Sequence, residues 1–448
     1  MIHAFRFDDK YYTYDVSTGL LLDIDAITHD VLLLYGSMPD HELIGSLNGK
    51  YSEHEIMDVL NEIDSLKKEQ GLFEKIDYDA IHFINDGAIK AMCLHVSHDC
   101  DLRCRYCFAG TGAFGGGRGL MSLETGKAAI EFLIGHSGNR AVLEVDFFGG
   151  EPFLNLPVVK DIVEYARGRE KEIGKQFKFT ITTNGYTLSD VEYDFLNREM
   201  HNVVLSIDGR PETHNRMRPG ALGQNTHEKI MDHALKFVKT RNDKDYYIRG
   251  TYTKHNLDFM EDVKYLADAG FEQISVEPVV TDPKRPYAIG EPDIGRIEAE
   301  YERLAKWYIE RRKTGKWFNF FHFMIDLENG PCAAKRLIGC GAGNDYIAVT
   351  PDGDIYPCHQ FAGEECMRLG NLREGIVNHD LRKMFANNTV ADKEQCRDCW
   401  AQFWCGGGCS ANAYYSNQSI AKPNSTECRL QKKRLECALA VYAAERQL

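Results

Sequence analysis

Cys100, Cys104 and Cys107 stand in the run HDCDLRCRYCFAGTG with CxxxCxxC spacing. Thiolates so spaced can hold three irons of a 4Fe-4S cube and leave the fourth iron without a protein ligand. A corner of that kind is free to bind a small molecule, so that a cofactor carries the hard chemistry and the chain aims it. Three close cysteines also suit a zinc knuckle or part of a disulfide set, and the spacing alone does not choose. A second motif, Gly149-Gly150-Glu151-Pro152, follows the mostly apolar stretch 142–148, which reads as a strand. Glycines at a strand end let the backbone approach a ligand closely.

A further cysteine-rich region begins near Cys332. Cys340 is followed by Gly353 and Cys358, then by Cys396-x2-Cys399-x5-Cys405-x3-Cys409 and Cys428. A zinc ribbon would not require the distant Gly-x4-Cys element. Cys93, Cys366 and Cys437 fall outside both patterns and read as ordinary buried thiols.

The elements that must position these residues follow from periodicity. Strand-like runs at 92–96, 142–148, 177–183, 203–207, 246–253 and 273–279 alternate with helical runs across 91–314. Such alternation predicts a parallel sheet with helices outside, and an α/β class. The cysteine loop and the segments 149–152, 182–185 and 206–209 then lie at the carboxyl ends of successive strands, where barrel folds gather their chemistry. Residues 1–85 lack cysteine and read as a separate small domain, with strands at 3–7, 11–16 and 20–24 and helices at 27–35, 40–47 and 52–69.

The 448 residues allow two or three domains, and a net charge of -14 argues against a nucleic-acid partner. The opening MIHAFRFDDKYYTYD has no apolar core of signal-peptide length, and no run of 18 apolar residues suggests a membrane partner. The expected compartment is therefore cytoplasmic, where 14 cysteines point to metal or redox use in an oxygen-poor setting.

Tyr106 before the third cysteine and Phe108 after it give a CxYCF ending that, with GGEP, resembles the radical S-adenosylmethionine (SAM) enzymes. The resemblance implies a partial (β/α)6 barrel, open on one side, with SAM chelated at the vacant iron and cleaved by an electron from the cluster to a 5'-deoxyadenosyl radical. It places SAM against the main chain at Tyr106, the Gly149-Gly150-Glu151-Pro152 segment, Ser206 and Arg218, with Arg216 as the alternative guanidinium. Asn184 reads as a ribose contact or a turn residue, and Glu277 as lining the adenine side or as solvated.

The later cysteines resemble a SPASM domain, here 332–448, which implies two auxiliary clusters and three 4Fe-4S clusters in all. Carried over, the pattern gives Cys340, Cys358 and Cys409 to the first and Cys396, Cys399, Cys405 and Cys428 to the second. Cys332 supplies the missing ligand, or the site is open.

Residues 1–85 resemble a winged-helix-like peptide-recognition domain, whose sheet edge takes up an extended leader peptide; a stabilising cap is the plainer reading. Their removal is expected to weaken leader binding and spare SAM cleavage.

The run CLHVSHDCDLRCRYCFAGTG, the RGLMS after it and the MIHAF opening resemble the SCIFF (six-cysteines-in-forty-five) maturases. That resemblance implies thioether formation in a short cysteine-rich precursor peptide with a leader. A cysteine sulfur would join an unactivated carbon, threonine's in the known family, and a flavodoxin or ferredoxin would serve as reductant. The rivals are a sulfatase-maturase-like oxidation to formylglycine, a carbon-carbon peptide crosslinker and a multi-cluster electron carrier.

Overall fold

The computed structural model describes residues 1–78, 81, 86–242 and 244–446. The expected domain boundary at residue 85 and the last two residues of 332–448 lie outside them. The chain opens with an antiparallel sheet of β1 (Ile2–Phe7), β2 (Lys10–Asp15) and β3 (Leu21–Ile24), in that order. Helices α1 (Ala26–Leu34), α2 (Asp40–Leu47) and α3 (Glu53–Gln70) follow. A capping box between Ser52 and Glu55 starts α3, and Gly71 in the left-handed conformation ends it.

The two faces of this small sheet have different partners. Alternate side chains on a strand point to opposite faces, and Ala4 joins Val31, Leu43, Ile56, Leu60 and Ile63 in a satellite core under the helices. Phe5, Phe7, Tyr12, Tyr14 and Val16 belong to the main core of the molecule instead.

The barrel strands are β4 (Ala91–Ser97), β5 (Val142–Gly149), β6 (Gln176–Thr183), β7 (Met200–Ser206), β8 (Asp245–Tyr252) and β9 (Gln273–Pro278). They pair in parallel in chain order, each within three residues of the expected bounds. Between them run α4 (Leu123–His136), α5 (Leu156–Ile173), α6 (Asp190–Glu199), α7 (Pro211–Met217), α8 (His227–Val238) and α9 (Phe259–Asp268), with α10 (Ile294–Lys313) after β9. On β5 the buried residues Leu143, Val145 and Phe147 alternate with partly exposed ones. One side of the strand therefore packs under helices while the other faces the barrel interior.

The sheet does not stop at six strands. β10 (Asn319–Phe320) adds in parallel beyond β9. After the short helix α11 (Ala333–Ile338), β11 (Tyr346–Val349) pairs in parallel with β4, Tyr346 opposite Ala91 and Val349 opposite Leu94. β12 (Asp354–Tyr356), β13 (Gly370–Asn371) and β14 (Gly375–Ile376) continue antiparallel, so one eleven-stranded sheet joins the barrel to the C-terminal region. The remaining helices are α12 (His379–Ala386), α13 (Glu394–Arg397), α14 (Gln402–Cys405), α15 (Ser410–Asn417) and α16 (Ser425–Glu445), the last packed along α10 and against β1. Among the described residues no helix is long and apolar enough to cross a membrane.

Candidate functional site

A cavity of about 200 Å3 opens at the carboxyl ends of the barrel strands. Cys100, Cys104, Cys107, Tyr106, Gly149, Gly150, Asn184, Ser206 and Arg218 all line it, as the motif positions led one to expect. Glu151 and Pro152 do not: both are buried behind the wall, and the reading of them as direct contacts is revised. The Glu151 carboxyl accepts from the Thr183 hydroxyl at 2.7 Å and from the amides of Phe153 and Asn184 at 3.0 and 2.8 Å. It is a strut that ties the GGEP turn to the end of β6. Burial, with the charge of Asp101, pushes its pKa up to about 8.

Gly150 shows why a glycine stands there. A Cβ on it would lie 2.2 Å from the Asp99 carbonyl oxygen, so the close approach is of the cysteine loop's own backbone as much as of any ligand. The Gly150 and Glu151 amides each donate at 2.8 Å, to Ser97 and Asp99, and fix the loop over β5.

Asp208 is the hub that sequence reasoning missed, although it follows Ser206 by two residues in the fourth-strand motif. Fully buried, it accepts from the Tyr106 hydroxyl at 2.8 Å, from Arg218 Nε at 3.0 Å and from the Thr251 amide at 3.0 Å. A buried charge needs such pairing. Arg218 thereby stands over the Tyr106 ring, 5.3 Å from its centroid, and acts on the Cys104 thiol. Arg216 is exposed and does not line the cavity, whereas Arg218 does.

Asn184 combines the turn with a wall position. Its Oδ1 accepts from the Tyr186 amide at 2.8 Å, while its Nδ2 donates to Asp101 at 2.7 Å and faces the Cys100 sulfur at 3.8 Å. Glu277 is not simply solvated. It meets Ser275 at 2.9 Å, His322 at 3.1 Å and Arg434 at 3.8 Å. Burial alone would raise its pKa, but the charges of His322, Arg249 and Arg434 prevail and hold the carboxyl well below the usual range.

The far wall of the same cavity comes from the C-terminal region. His359 and Gln360, directly after Cys358, line it together with Phe108 and Phe148. The His359 ring lies 5.5 Å from Phe108 and 5.2 Å from Phe148, and its Nδ1 is 3.1 Å from the Tyr346 hydroxyl on β11. Nothing in the motif spacing announced these two residues. Gly363 completes the junction with φ +90°, where a Cβ would lie 1.9 Å from the Phe114 carbonyl oxygen.

Among the seven later thiols, Cys358, Cys409 and Cys340 act on one another, as do Cys405, Cys428, Cys396 and Cys399, and Glu427 acts on Cys405, Cys409 and Cys428. Burial pushes Cys358 up, and the charges of Cys409 and Cys340 add to the shift; Cys409, pushed up to about 12, in turn feels Cys340. Cys405, pushed up to about 12 by burial, feels Cys428, Cys396 and Cys399, and Cys428, at about 11, feels Cys396 and Cys399. Cys332 is exposed at the start of α11. Cys93 and Cys437 are buried as expected, but Cys366 is exposed, 3.4 Å from the Tyr414 hydroxyl, which corrects its reading as a buried thiol.

The donor chemistry fits iron-sulfur clusters. In the first loop, too, burial holds Cys100 and Cys104 up, Cys104 to about 12, a state that favours ligation only when a metal replaces the proton. Among the described residues no group of three or more His, Cys, Asp or Glu side chains is arranged to hold a metal ion. Thiolates at separate corners of a cubane stand farther apart than ligands of one zinc.

A model of a 4Fe-4S single cluster domain matches residues 87–230, and the SPASM iron-sulfur cluster-binding domain matches residues 340–400. The two domains are those that radical SAM/SPASM enzymes combine, with SAM and 4Fe-4S clusters as cofactors, and the chain is similar to peptide-modifying enzymes of that family. It is 23% identical over 342 residues to a cysteine-type anaerobic sulfatase-maturating enzyme of Clostridium novyi, covering 70% of this chain and 86% of that one. It is 24% identical over 339 residues to the antilisterial bacteriocin subtilosin biosynthesis protein AlbA of Bacillus subtilis, covering 71% and 68%.

Two solved structures share the fold. One is anSMEcpe with bound AdoMet, with TM-score 0.66, 21% identity, and coverage of 80% of this chain and 96% of that one. The other is Streptococcus suis SuiB bound to its precursor peptide SuiA, with TM-score 0.53, 17% identity, and coverage of 95% and 98%.

Proposed function

We propose that this enzyme forms thioether crosslinks in a short cysteine-rich precursor peptide, joining a cysteine sulfur to an unactivated carbon, threonine's in the family it resembles. The observation that carries the reading is the single cavity lined by Cys100, Cys104 and Cys107 on one side and by the residues that follow Cys358 on the other. Bound there, SAM and the clusters supply a primary carbon radical strong enough to take hydrogen from carbon and an acceptor for the one electron that C-S bond formation releases. Overall, one C-H and one S-H bond are lost and one C-S bond forms, with two hydrogens removed from the peptide.

The chain's own residues bind and orient. Cys100, Cys104 and Cys107 hold the SAM-binding cluster. Tyr106, Gly149, Gly150, Asn184, Ser206 and Arg218 form the SAM wall, and Asp208 fixes Tyr106 and Arg218 in it. Cys340, Cys358 and Cys409 hold the first auxiliary cluster with a corner left for the peptide thiolate, and Cys396, Cys399, Cys405 and Cys428 fill the second. Cys332, exposed, is set aside as the missing ligand. Residues 1–85 take the leader, 91–314 form the barrel, and 332–448 form the SPASM domain. SuiB, whose structure holds its precursor peptide, covers 95% of this chain, which supports a peptide substrate.

Reconstitution under exclusion of air, with precursor peptide and SAM, tests this. The product is expected to be lighter by two hydrogens per crosslink, with one fewer alkylatable thiol for each and no hydrazide reactivity. The sulfatase-maturating relative favours a second reading, oxidation of cysteine or serine to formylglycine. A hydrazide-reactive product would establish that reading and end the first.

A further inference from the structure

The chain carries 67 acidic against 53 basic side chains, so on average its surface repels an acidic protein. One place departs from this. Arg105 sits between Cys104 and Tyr106 and is exposed, and its amide donates to the Met217 carbonyl at 2.8 Å, which brings it beside exposed Arg216 on α7. Lys254 and His255, both exposed, follow β8, and the charges of Arg216, Lys254 and Arg105 all bear on the His255 ring.

These charges have little to cancel them. Among the described residues none of Arg105, Arg216 and Lys254 enters an ion pair. The acids nearby in sequence, Glu212, Asp258 and Asp262, are drawn to Arg210 at 3.7, 3.0 and 2.7 Å. Arg103 adds to the surplus, because its guanidinium donates to the neutral carbonyls of Cys100 and Leu102.

We propose that Arg105, Arg216 and Lys254 form the docking surface for an acidic one-electron donor protein of the flavodoxin or ferredoxin kind. The inference rests on the reading that Cys100, Cys104 and Cys107 hold a reducible cluster. A donor seated on Arg105 meets the loop backbone one residue from Cys104 and two from Cys107, and its electron need not cross the barrel. In the encounter the donor loses one electron and the cluster gains it; no bond is made or broken. Redox encounters of this sort bury little surface and rely on charge to steer them. The precursor peptide is the other candidate for the same cations, and the test separates the two.

The experiment uses reconstituted holoenzyme and a flavodoxin, comparing R105E/K254E with K171E/K239E. The control pair lies at the carboxyl ends of α5 and α8, at the opposite end of the barrel, and changes the net charge equally. Flavodoxin affinity and flavodoxin-driven SAM cleavage are expected to fall roughly tenfold or more in R105E/K254E and to hold in the control. Dithionite-driven SAM cleavage and the electron paramagnetic resonance of the reduced cluster should not change in either. Affinity of the unsubstituted enzyme should also weaken as salt rises. Equal flavodoxin affinity in R105E/K254E and unsubstituted enzyme, or a flat salt dependence, overturns the proposal. So does loss of precursor binding with flavodoxin binding kept, which would give the surface to the peptide. If dithionite drives no SAM cleavage even without substitution, the cluster reading fails and takes the proposal with it.

Discussion

The two thiol sets of the C-terminal region differ in number and in what covers them. Cys340, Cys358 and Cys409 are three, and the chain beyond Cys358 opens onto the SAM cavity through His359 and Gln360. Cys396, Cys399, Cys405 and Cys428 are four, and the N-terminal sheet lies over them. His3 stacks on Trp400, next to Cys399, with ring centroids 3.7 Å apart and planes 5° apart, and it bonds Glu436 on α16 at 2.9 Å. Trp404, next to Cys405, donates its indole N-H to the Tyr14 hydroxyl at 2.8 Å. Tyr78 reaches Gln402 and the Arg397 carbonyl in the same loop. Under the proposed assignment, an incomplete set facing the cavity can take an outside ligand, whereas a complete set sealed by aromatic side chains can only pass electrons or hold structure.

The sharpest test of this contrast is a pair of substitutions. Cys358→Ala is expected to abolish crosslinking while leaving SAM cleavage near its original rate. Cys405→Ala should remove a cluster's iron and loosen the N-terminal sheet, read as faster hydrogen exchange at residues 1–16. If Cys358→Ala frees that sheet and Cys405→Ala does not, the contrast is wrong. Gly363→Ala comes next: its methyl would collide with Phe114 beside the cysteine loop, at a cost of about 1–3 kcal/mol, and a melt and product yield would both report it. Trp404→Phe removes one hydrogen bond between sheet and loop and should cost about 1 kcal/mol in a denaturant titration, with iron content unchanged.

Two smaller effects mark the edges. Cys332→Ala should leave iron content and crosslinking unchanged; loss of iron would make the three-thiol set a closed one. In the N-terminal helices, burial would raise the Asp30 pKa, but Lys50, Tyr51 and His29 prevail and hold it below the ordinary 3.8. That stabilisation is present above pH 3.8 and lost as pH falls through the lower folded value. Asp30→Asn should remove less than about 1 kcal/mol at neutral pH, and acid melts of the two proteins should converge.

The six barrel strands were legible because short apolar runs recur between helical ones, and a loop motif follows each of the first four at its carboxyl end. The cysteine sets were legible because a cluster fixes ligand spacing along the chain. Contacts between residues far apart in sequence were not. The pairing of β11 with β4, the Glu277–His322–Arg434 network and the placing of His359 in the SAM cavity depend on the path of the chain after α10, where periodicity is weak. The N-terminal region was legible as three strands and three helices, but not as a unit with one face sunk in the main core. Removing residues 1–85 would strip Phe5, Tyr12 and Tyr14 from that core, so the truncation expected to spare SAM cleavage is not a clean experiment. Point changes on the sheet's outer edge serve better.

The strand at 346–349 hydrogen-bonds directly to the first barrel strand. Among the described residues this pairing ties the His359 wall of the cavity to the strand that leads into the three-cysteine loop, and the gap between them is set when the chain folds. Under the thioether reading, the enzyme would act as a fixed gauge: precursors whose donor and acceptor residues cannot span that gap would be turned away, whatever their leader.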